Sequence, residues 1–150
     1  MTAQPIIFVL NGPNLNLLGE REPDVYGGES LEDIRSACAG AAANAGFDLD
    51  FRQSNHEGDL VGWIHEARDA AAGVAINAGG YTHSSVAIHD ALRLLEVPVI
   101  EVHLSNVFRR EAYRHHSYVA PAATGVICGL GADGYVLAIE ALARRIKPGP

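Results

Sequence analysis

Five apolar segments recur along the chain, and each is followed by glycines, asparagines or other polar residues. Four are nearly uninterrupted, as expected of strands buried inside a parallel sheet, whereas residues 47–52 alternate apolar and polar side chains. Stretches with apolar residues at three- and four-residue steps, typical of amphipathic helices, stand between them. The predicted strands are residues 6–10, 47–52, 74–77, 98–104 and 125–128.

The helical segments carry start and stop signals. Ser30 can cap a helix over residues 30–45, which Gly46 ends. A second helix carries Leu60 to Ala71 and is predicted to close at Gly73. The remaining predictions are a third helix that Thr82, Ser84 or Ser85 caps and that carries Val86, Ala91, Leu92 and Leu95, one helical turn around residues 108–113, and a closing helix from Tyr135 to Ile146.

This alternation of strands and helices requires right-handed crossovers and a parallel sheet. We therefore predict one domain, residues 1–150, with a three-layer, doubly wound α/β fold. The half-polar second strand fits the edge of the sheet better than its centre, which favours the flavodoxin-like strand order 2-1-3-4-5.

Composition narrows the classes of function. The chain is 48% hydrophobic and 19% charged with a net charge of −7, which fits a soluble domain and argues against a nucleic-acid binder. Cys38 and Cys128 lack metal-like spacing, so we expect both to be small core residues in a reducing compartment. The N-terminus lacks the charged start of a signal peptide, and residues 6–10 are too short to span a membrane, so we expect a cytoplasmic protein.

Residues 11–27 form a long loop directly after the first strand. They contain too many Gly, Pro and Asn residues for regular structure, and they carry amide, acidic, arginine and tyrosine side chains. A loop of this length is either a lid or binding loop, or a mobile surface excursion.

Ligands of open parallel sheets bind beyond the carboxyl ends of the strands. The polar clusters of this chain stand at those ends: Asn11 and Asn14 follow the first strand, residues 77–83 the third, and residues 103–105 close the fourth. We therefore expect these segments to converge on one crevice.

The Gly79-Gly80 turn, with Thr82, His83 and Ser84 after it, has two interpretations. Backbone N–H groups and a helix dipole suit a small carboxylate or phosphate, whereas the plainer interpretation is a helix cap. No G-x-x-x-x-G-K-[ST] or G-x-G-x-x-G pattern follows a strand, so we expect no nucleotide cofactor.

His103, two residues after Glu101, is either a general acid or base, or a core histidine satisfied by a backbone partner. The other histidines form no recognisable set of metal ligands, and the adjacent His115 and His116 would point in different directions. We predict no metal.

Tyr26 needs a nearby cation to act as a base, because a phenol ionises only near pH 10. Arg21 in the same loop could supply this charge, or it could be solvated while Tyr26 packs the loop. Arg110 and Arg114 are either carboxylate ligands on one face of a short helix or part of a surface patch.

Lys147, near the C-terminus, is the single lysine, so Schiff-base chemistry has no plausible nucleophile. Strand one ends in asparagine, which argues against receiver-type phosphoryl transfer. A regulatory binding module and a Ser/His/Asp hydrolase using Ser84 or Ser85 stay as alternatives, although the chain lacks a G-x-S-x-G elbow.

Five sequence blocks follow one another over nearly the whole chain. They are N-G-P-N-L-N-L-L-G-x-R-E-P-x-x-Y-G from residue 11, I-N-A-G-G-Y-T-H-S-S-V-A from residue 76, E-V-H-L-S-N from residue 101, R-R-E-x-x-R-x-x-S from residue 109 and A-T-G-V-I-x-G-L-G from residue 123. Together they closely resemble the type II 3-dehydroquinate dehydratases, and the first block alone is very specific.

The resemblance implies a flavodoxin-like fold and a homododecamer built as a tetramer of trimers. It implies anti elimination of water from 3-dehydroquinate, through an enolate, to give 3-dehydroshikimate without metal or organic cofactor. This is the third step of the shikimate pathway to chorismate and the aromatic amino acids.

The resemblance also implies roles for residues of this chain. Tyr26 matches the base that removes a proton from C2, Arg21 the lid arginine that favours its ionised form, and Asn14 the residue that stabilises the enolate through a bound water. His103 matches the acid that protonates the departing C1 hydroxyl, and Glu101 would orient it. Further matches are the substrate-binding positions Asn77, His83, Leu104, Ser105 and Arg114, with the substrate carboxylate held by the backbone after strand four, and Asp90, which the family presents to a neighbouring subunit's site.

Three departures from the family pattern stand out. Glu20 adds a negative charge beside Arg21, and we expect it to point to solvent; His89 and Phe108 lie where they could alter a subunit contact or the site wall. Within the opening loop, we expect residues 11–14 to be a fixed turn and residues 19–27 to be a moving lid.

Overall fold

Five parallel strands form one sheet in the order β2-β1-β3-β4-β5, as predicted from the alternating pattern of the second strand. The structure is a computed structural model that describes residues 3–146, so Lys147 lies outside the described residues. The strands are β1 (Ile6–Asn11), β2 (Asp48–Gln53), β3 (Gly73–Asn77), β4 (Val99–His103) and β5 (Gly125–Cys128).

The strand register brings the carboxyl ends of the central strands together. Asn11 at the end of β1 pairs with Asn77 at the end of β3 and with Gln53 at the end of β2. On the other side of β3, Ile76 pairs with Glu101 of β4. The polar residues that follow the strands therefore start from one edge of the sheet.

Helices cover both faces of this sheet, which confirms the three-layer architecture. They are α1 (Pro23–Tyr26), α2 (Leu31–Ala45), α3 (Glu57–Ala70), α4 (Val86–Leu92) and α5 (Asp133–Arg145). Helices α2 and α5 bury Ile34, Cys38, Tyr135 and Leu142 on one face of the sheet. Helices α3 and α4 bury apolar side chains on the other face, among them Leu60, Ile64, Ile88 and Leu92.

The predicted ends of α2 are confirmed by its capping. The Ser30 hydroxyl accepts a hydrogen bond from the Asp33 amide (3.1 Å), and the Asp33 carboxylate accepts one from the Ser30 amide (3.0 Å). Gly46 has a φ of 86°, a left-handed conformation that glycine adopts at little cost, and so ends the helix.

Several predicted boundaries were wrong. Gly73 does not stop the second helix: α3 ends at Ala70, and Gly73 is the first residue of β3, where a Cβ would lie 3.2 Å from side-chain atoms of Leu142 and Ile146. Leu95 lies beyond the end of α4 at Leu92.

Of the three residues predicted as caps of the third helix, Ser85 is the one that caps it. Its hydroxyl accepts a hydrogen bond from the Ile88 amide (2.9 Å) and donates to the Glu57 carboxylate (2.5 Å). Thr82 is buried, and its hydroxyl has no hydrogen-bond partner within residues 3–146. Ser84 is exposed and precedes the cap.

The arginine-rich segment after β4 also differs from its prediction. Instead of one helical turn around residues 108–113, it forms two separate 3₁₀ turns, Val107–Arg109 and Ala112–His115. Arg110 lies between these turns and Arg114 within the second, so the two arginines do not share one face of a continuous helix. Further 3₁₀ turns cover Leu15–Leu17, Gly79–His83 and Ala120–Ala122.

Cys38 is fully buried, and burial raises the pKa of its thiol to about 12, which fits the predicted core role. Cys128, predicted as a core residue too, is only partly buried at the end of the edge strand β5. Among the helices of residues 3–146, none has the length and apolar run that a bilayer crossing requires.

Candidate active site

One crevice lies beyond the carboxyl ends of β1, β3 and β4, with a cavity volume of about 160 Å³. The lid, the arginine-rich segment and the turns after the three strands enclose it. Its lining residues are Pro13, Asn14, Leu15, Arg21, Tyr26, Asn77, Gly79, Gly80, His83, His103, Leu104, Ser105, Val107, Arg110 and Arg114.

The turn after β1 is held tightly against the turn after β3. The Gly12 amide donates to the Asn77 carbonyl (2.8 Å), and a Cβ at Gly12 would lie 2.3 Å from the carbonyl oxygen of Ala78. Only glycine permits this approach of two backbones. Asn14 then takes a left-handed conformation (φ 71°), and its amide donates to the Asn55 side chain (3.0 Å).

A buried hydrogen-bond chain joins the ends of β1 and β3. The Tyr135 hydroxyl, brought from α5, donates to Asn11 Oδ1 (2.7 Å) and accepts from Asn77 Nδ2 (2.9 Å). Asn77 Oδ1 accepts from the Gly79 amide (3.1 Å), which ties the same side chain to the crevice wall. Burial raises the pKa of the Tyr135 phenol, so this hydroxyl stays protonated.

His103 and Glu101 form a buried pair at the end of β4. His103 Nε2 lies 2.5 Å from Glu101 Oε2, and the two residues are 7% and 1% exposed. The Ser117 hydroxyl donates to the same carboxylate at 2.9 Å. His103 therefore has a side-chain carboxylate as its partner, in place of the backbone partner that a plain core histidine would use.

His83 lies beside His103, with ring centroids 6.3 Å apart and planes 20° from parallel. Its Nδ1 donates to the His116 carbonyl (2.8 Å). Burial lowers the pKa of His83 against the opposing effect of this hydrogen bond. At neutral pH His83 is thus a neutral imidazole, and its Nε2 is free to accept a hydrogen bond.

Tyr26 lies on the crevice lining, at the end of the single turn α1. The guanidinium carbon of Arg21 lies 4.9 Å from the centroid of the Tyr26 ring, and that of Arg110 lies 5.0 Å from it. Two positive charges from distant parts of the chain therefore flank one phenol. Glu22 pairs with Arg21 at 3.7 Å, while Glu20 is exposed, as expected.

Arg114 is held by Glu111, whose carboxylate accepts a hydrogen bond from its Nε (2.7 Å). Burial lowers the pKa of this guanidinium, but the bond to Glu111 and the nearby Tyr26 oxygen outweigh burial, so its pKa is raised. Arg110 Nη1 donates to the Ser105 hydroxyl (3.3 Å), which fixes the second arginine at the end of β4.

The crevice collects most of the residues that the sequence singled out. Two of them lie outside its lining: Glu101 stands behind His103, and Asp90 is on the exposed surface of α4. The predicted candidate residues on the lining are Asn14, Arg21, Tyr26, Asn77, His83, His103, Leu104, Ser105 and Arg114.

Arg110 is the residue whose position the sequence left undecided. The alternatives were a carboxylate ligand or a surface patch, and the structure places it on the crevice lining, beside Tyr26. This argues against a surface patch, and a role as a carboxylate ligand stays a prediction. The signal in the sequence was the pair of arginines in a loop beyond a strand end, but no local pattern connects that loop with residue 26.

The Gly79-Gly80 turn does not lead straight into a long helix. Residues Gly79–His83 form a 3₁₀ turn, and the N-terminus of α4 is capped by Ser85 beyond it. Both glycines line the crevice, so the anion interpretation stays a prediction that rests on this turn and on neighbouring arginines.

Phe108 is 63% exposed and does not line the crevice, and His89 Nδ1 lies 2.7 Å from the Tyr118 carbonyl oxygen. Within residues 3–146, no three His, Cys, Asp or Glu side chains are grouped so that they could hold a metal ion. The absence of a metal from the reaction stays a prediction.

Comparison with known proteins identifies the family. The sequence profile described as dehydroquinase class II matches residues 5–143. The 3-dehydroquinate dehydratase of Rhizobium johnstonii is 62% identical over 136 residues, covering 91% of this chain and 94% of the relative, and 3-dehydroquinate dehydratase 2 of Pseudomonas aeruginosa is 58% identical over 141 residues, covering 94% and 95%.

Solved structures agree with the sequence comparison. The crystal structure of type II dehydroquinase from Propionibacterium acnes superimposes with a TM-score of 0.91 at 44% identity, over 96% of this chain and 99% of that one. The flavodoxin-like fold predicted from the strand pattern is thus confirmed, and the chain belongs to the class II dehydroquinase family.

Proposed function

We propose that the protein is a hydro-lyase that removes water from 3-dehydroquinate to give 3-dehydroshikimate. The observation that carries this proposal is the arrangement of two groups on one crevice: Tyr26 flanked by two guanidinium groups, and His103 paired with Glu101. A base and an acid facing one small cavity are what an elimination of water needs.

In the first step, Tyr26 acts as the base in its ionised form. Its phenolate oxygen takes the proton from C2, and the electron pair of the C2–H bond moves onto the neighbouring ketone to give an enolate. Arg21 and Arg110 stabilise the negative charge of the phenolate by Coulomb attraction before this transfer.

Asn14 supports the enolate. It lines the crevice on the rigid turn after β1, where its backbone is fixed by the bond to Asn55. We propose that its side chain stabilises the enolate oxygen through a bound water, because a preorganised amide lowers the energy of developing negative charge.

In the second step, His103 gives a proton to the C1 hydroxyl. The C1–O bond breaks, water leaves, and the enolate electrons form the C1–C2 double bond conjugated to the restored ketone. His103 is then neutral and Tyr26 protonated, so one proton must pass from Tyr26 to His103, directly or through water, before the next turnover. The elimination is anti, with Tyr26 and His103 on opposite faces of the substrate.

The substrate carboxylate binds at the end of β4. Among residues 3–146, the backbone N–H groups of Leu104 and Ser105 have no hydrogen-bond acceptor, and both residues line the crevice. Arg114 adds a positive charge nearby. Asn77 and His83 complete the binding of the substrate hydroxyls, since both present fixed polar atoms to the same cavity.

We further propose that the chain assembles as a homododecamer, a tetramer of trimers, in the cytoplasm, and that it serves the third step of the pathway to chorismate. Asp90, exposed on α4, would reach the crevice of a neighbouring subunit. Sedimentation of the purified protein tests this assembly: a trimer-based dodecamer supports it, and a monomer that turns over at full rate contradicts it.

The test of function uses purified protein after exhaustive chelation and without added cofactor. On 3-dehydroquinate, it should produce an enone that absorbs in the near ultraviolet. Borohydride added during turnover should trap no covalent adduct. No turnover by the assembled protein would overturn the proposal.

A further inference from the structure

Ser117 lies behind the acid pair, in the segment between the turns Ala112–His115 and Ala120–Ala122. It is partly buried and does not line the crevice. Its hydroxyl nevertheless reaches the Glu101 carboxylate, at 2.9 Å from Oε2 and 3.1 Å from Oε1. Any effect of Ser117 on the reaction therefore passes through Glu101.

The orientation of the Ser117 hydroxyl is set by its neighbours. A serine hydroxyl has one hydrogen to donate and two lone pairs that accept. The amides of Val119 and Ala120 donate to Ser117 Oγ at 3.1 Å and 2.9 Å, and these two bonds fill its accepting positions. The hydrogen of Ser117 is thus left to point at Glu101.

A fixed donor aimed at Glu101 favours the ionised carboxylate, because hydrogen bonds to the charged form stabilise it. Oε2 receives the Ser117 hydroxyl and also lies 2.5 Å from His103 Nε2. With Oε2 ionised, the hydrogen between these two atoms belongs to Nε2. Nδ1 of His103 is then the ring nitrogen left for the substrate.

We propose that Ser117 is a positioning residue for the acid step: it holds Glu101 as an ionised acceptor, which fixes the proton of His103 on Nε2 and assigns Nδ1 as the atom that protonates the leaving hydroxyl. This inference rests on the proposed dehydration and deepens it. The proton balance is unchanged, because His103 gives up the Nδ1 proton and keeps the Nε2 proton.

A merely structural role for Ser117 gives a different expectation. The bonds to Val119 and Ala120 also organise the start of the Ala120–Ala122 turn, so loss of the hydroxyl lowers stability in either case. The two roles separate in the steps of the reaction. A positioning residue for the acid affects loss of water, whereas proton removal from C2 by Tyr26 continues.

The test compares Ser117→Ala with Ser36→Ala, whose serine is exposed on α2. Loss of a hydrogen bond to a charged group should lower kcat by about 10–100-fold in Ser117→Ala, with KM nearly unchanged. Exchange of the C2 proton of 3-dehydroquinate with deuterated solvent should stay near the unaltered rate. Ser117→Thr, which keeps a hydroxyl, should recover much of the loss. Unchanged kcat, or equal loss of exchange and dehydration, would refute the positioning role.

A second measurement needs no variant of Ser117. In protein with ¹⁵N-labelled histidine and ¹³C-labelled glutamate carboxyls, solid-state NMR should show Glu101 ionised and the His103 ring carrying a proton on Nε2. The two signals are identified by their loss in Glu101→Gln and His103→Ala. A neutral Glu101, or a ring protonated at Nδ1 alone, contradicts the inference even if dehydration is observed. Absent dehydration with the expected NMR signals would contradict the proposed function alone.

Discussion

The guanidinium carbon of Arg110 lies 5.0 Å from the centroid of the Tyr26 ring, a contact between the segment after β4 and the lid after β1. Arg110 is itself anchored, since its Nη1 donates to the Ser105 hydroxyl and its Nε lies 3.9 Å from Glu111. Arg21, in contrast, belongs to the same loop as Tyr26. The phenol of Tyr26 thus lies beside one positive charge that is anchored outside its own loop.

The first prediction follows from this contact. Arg110→Ala should lower kcat by about 100-fold, because it removes a fixed charge that stabilises the phenolate, worth about 2.7 kcal/mol in the transition state. Arg109→Ala is the matched control, as Arg109 is exposed in the adjacent 3₁₀ turn and does not line the crevice. Steady-state kinetics of both variants test this prediction. Equal kcat values for Arg110→Ala and Arg109→Ala would show that the base does not need Arg110.

The second prediction concerns the buried bridge of Tyr135. Tyr135→Phe leaves Asn11 Oδ1 and Asn77 Nδ2 without their shared partner, so the free energy of unfolding should fall by about 1–3 kcal/mol. The control is Tyr113→Phe, whose tyrosine is 63% exposed. Guanidinium-chloride unfolding at one protein concentration measures both variants. A loss no larger than that of Tyr113→Phe would mean that the bridge adds little to stability.

The third prediction concerns two glycines whose replacement by alanine should change the free energy of unfolding in opposite directions. Gly12→Ala places a Cβ against the Ala78 carbonyl and should cost about 3 kcal/mol of unfolding free energy, along with activity. Gly40→Ala, in the exposed middle of α2 with no atom within 4 Å of the new Cβ, should gain about 1 kcal/mol. If Gly12→Ala unfolded like the unaltered protein, the tight turn would not be needed.

The fourth prediction is the division of residues 11–27 into a fixed turn and a lid. The amides of Arg21, Tyr26 and Gly27 bond only to carbonyls inside the loop, and Gly19 and Gly27 have φ angles of 91° and 89°. Hydrogen exchange should therefore be fast over residues 19–27 and slow over residues 11–14, and it should slow in the lid when product is added. Equal exchange in the two parts would disprove the division.

Much of the fold was readable from the sequence because its signals are local. The capping box at Ser30, the left-handed Gly46 and the alternating edge strand each act within a few residues. The prediction that Gly73 ends the second helix was wrong, although a glycine after a helix usually ends it. Here the lack of a side chain allows close packing against α5, which is distant in the chain.

The candidate site was predictable only in part, because several of its contacts join residues that are distant in the chain. Tyr26 and His103 stand in distinctive polar segments at strand ends, but the contact between Arg110 and Tyr26 arises only when the lid meets the end of β4. The hydroxyl of Tyr135 was hidden because its ring fits the apolar face of a helix. Ser117 gives no sign of its bond to Glu101 without the folded chain.

The most direct test of the central claim separates proton removal from water loss. Proton NMR of 3-dehydroquinate in deuterated solvent follows exchange at C2, and absorbance follows the enone. In Tyr26→Phe both should fall by at least about 100-fold. In His103→Ala, the rate of dehydration should fall by a similar factor. Exchange at C2 should still proceed faster than the uncatalysed reaction. Undiminished C2 exchange in Tyr26→Phe would contradict the assignment of Tyr26 as the base and His103 as the acid.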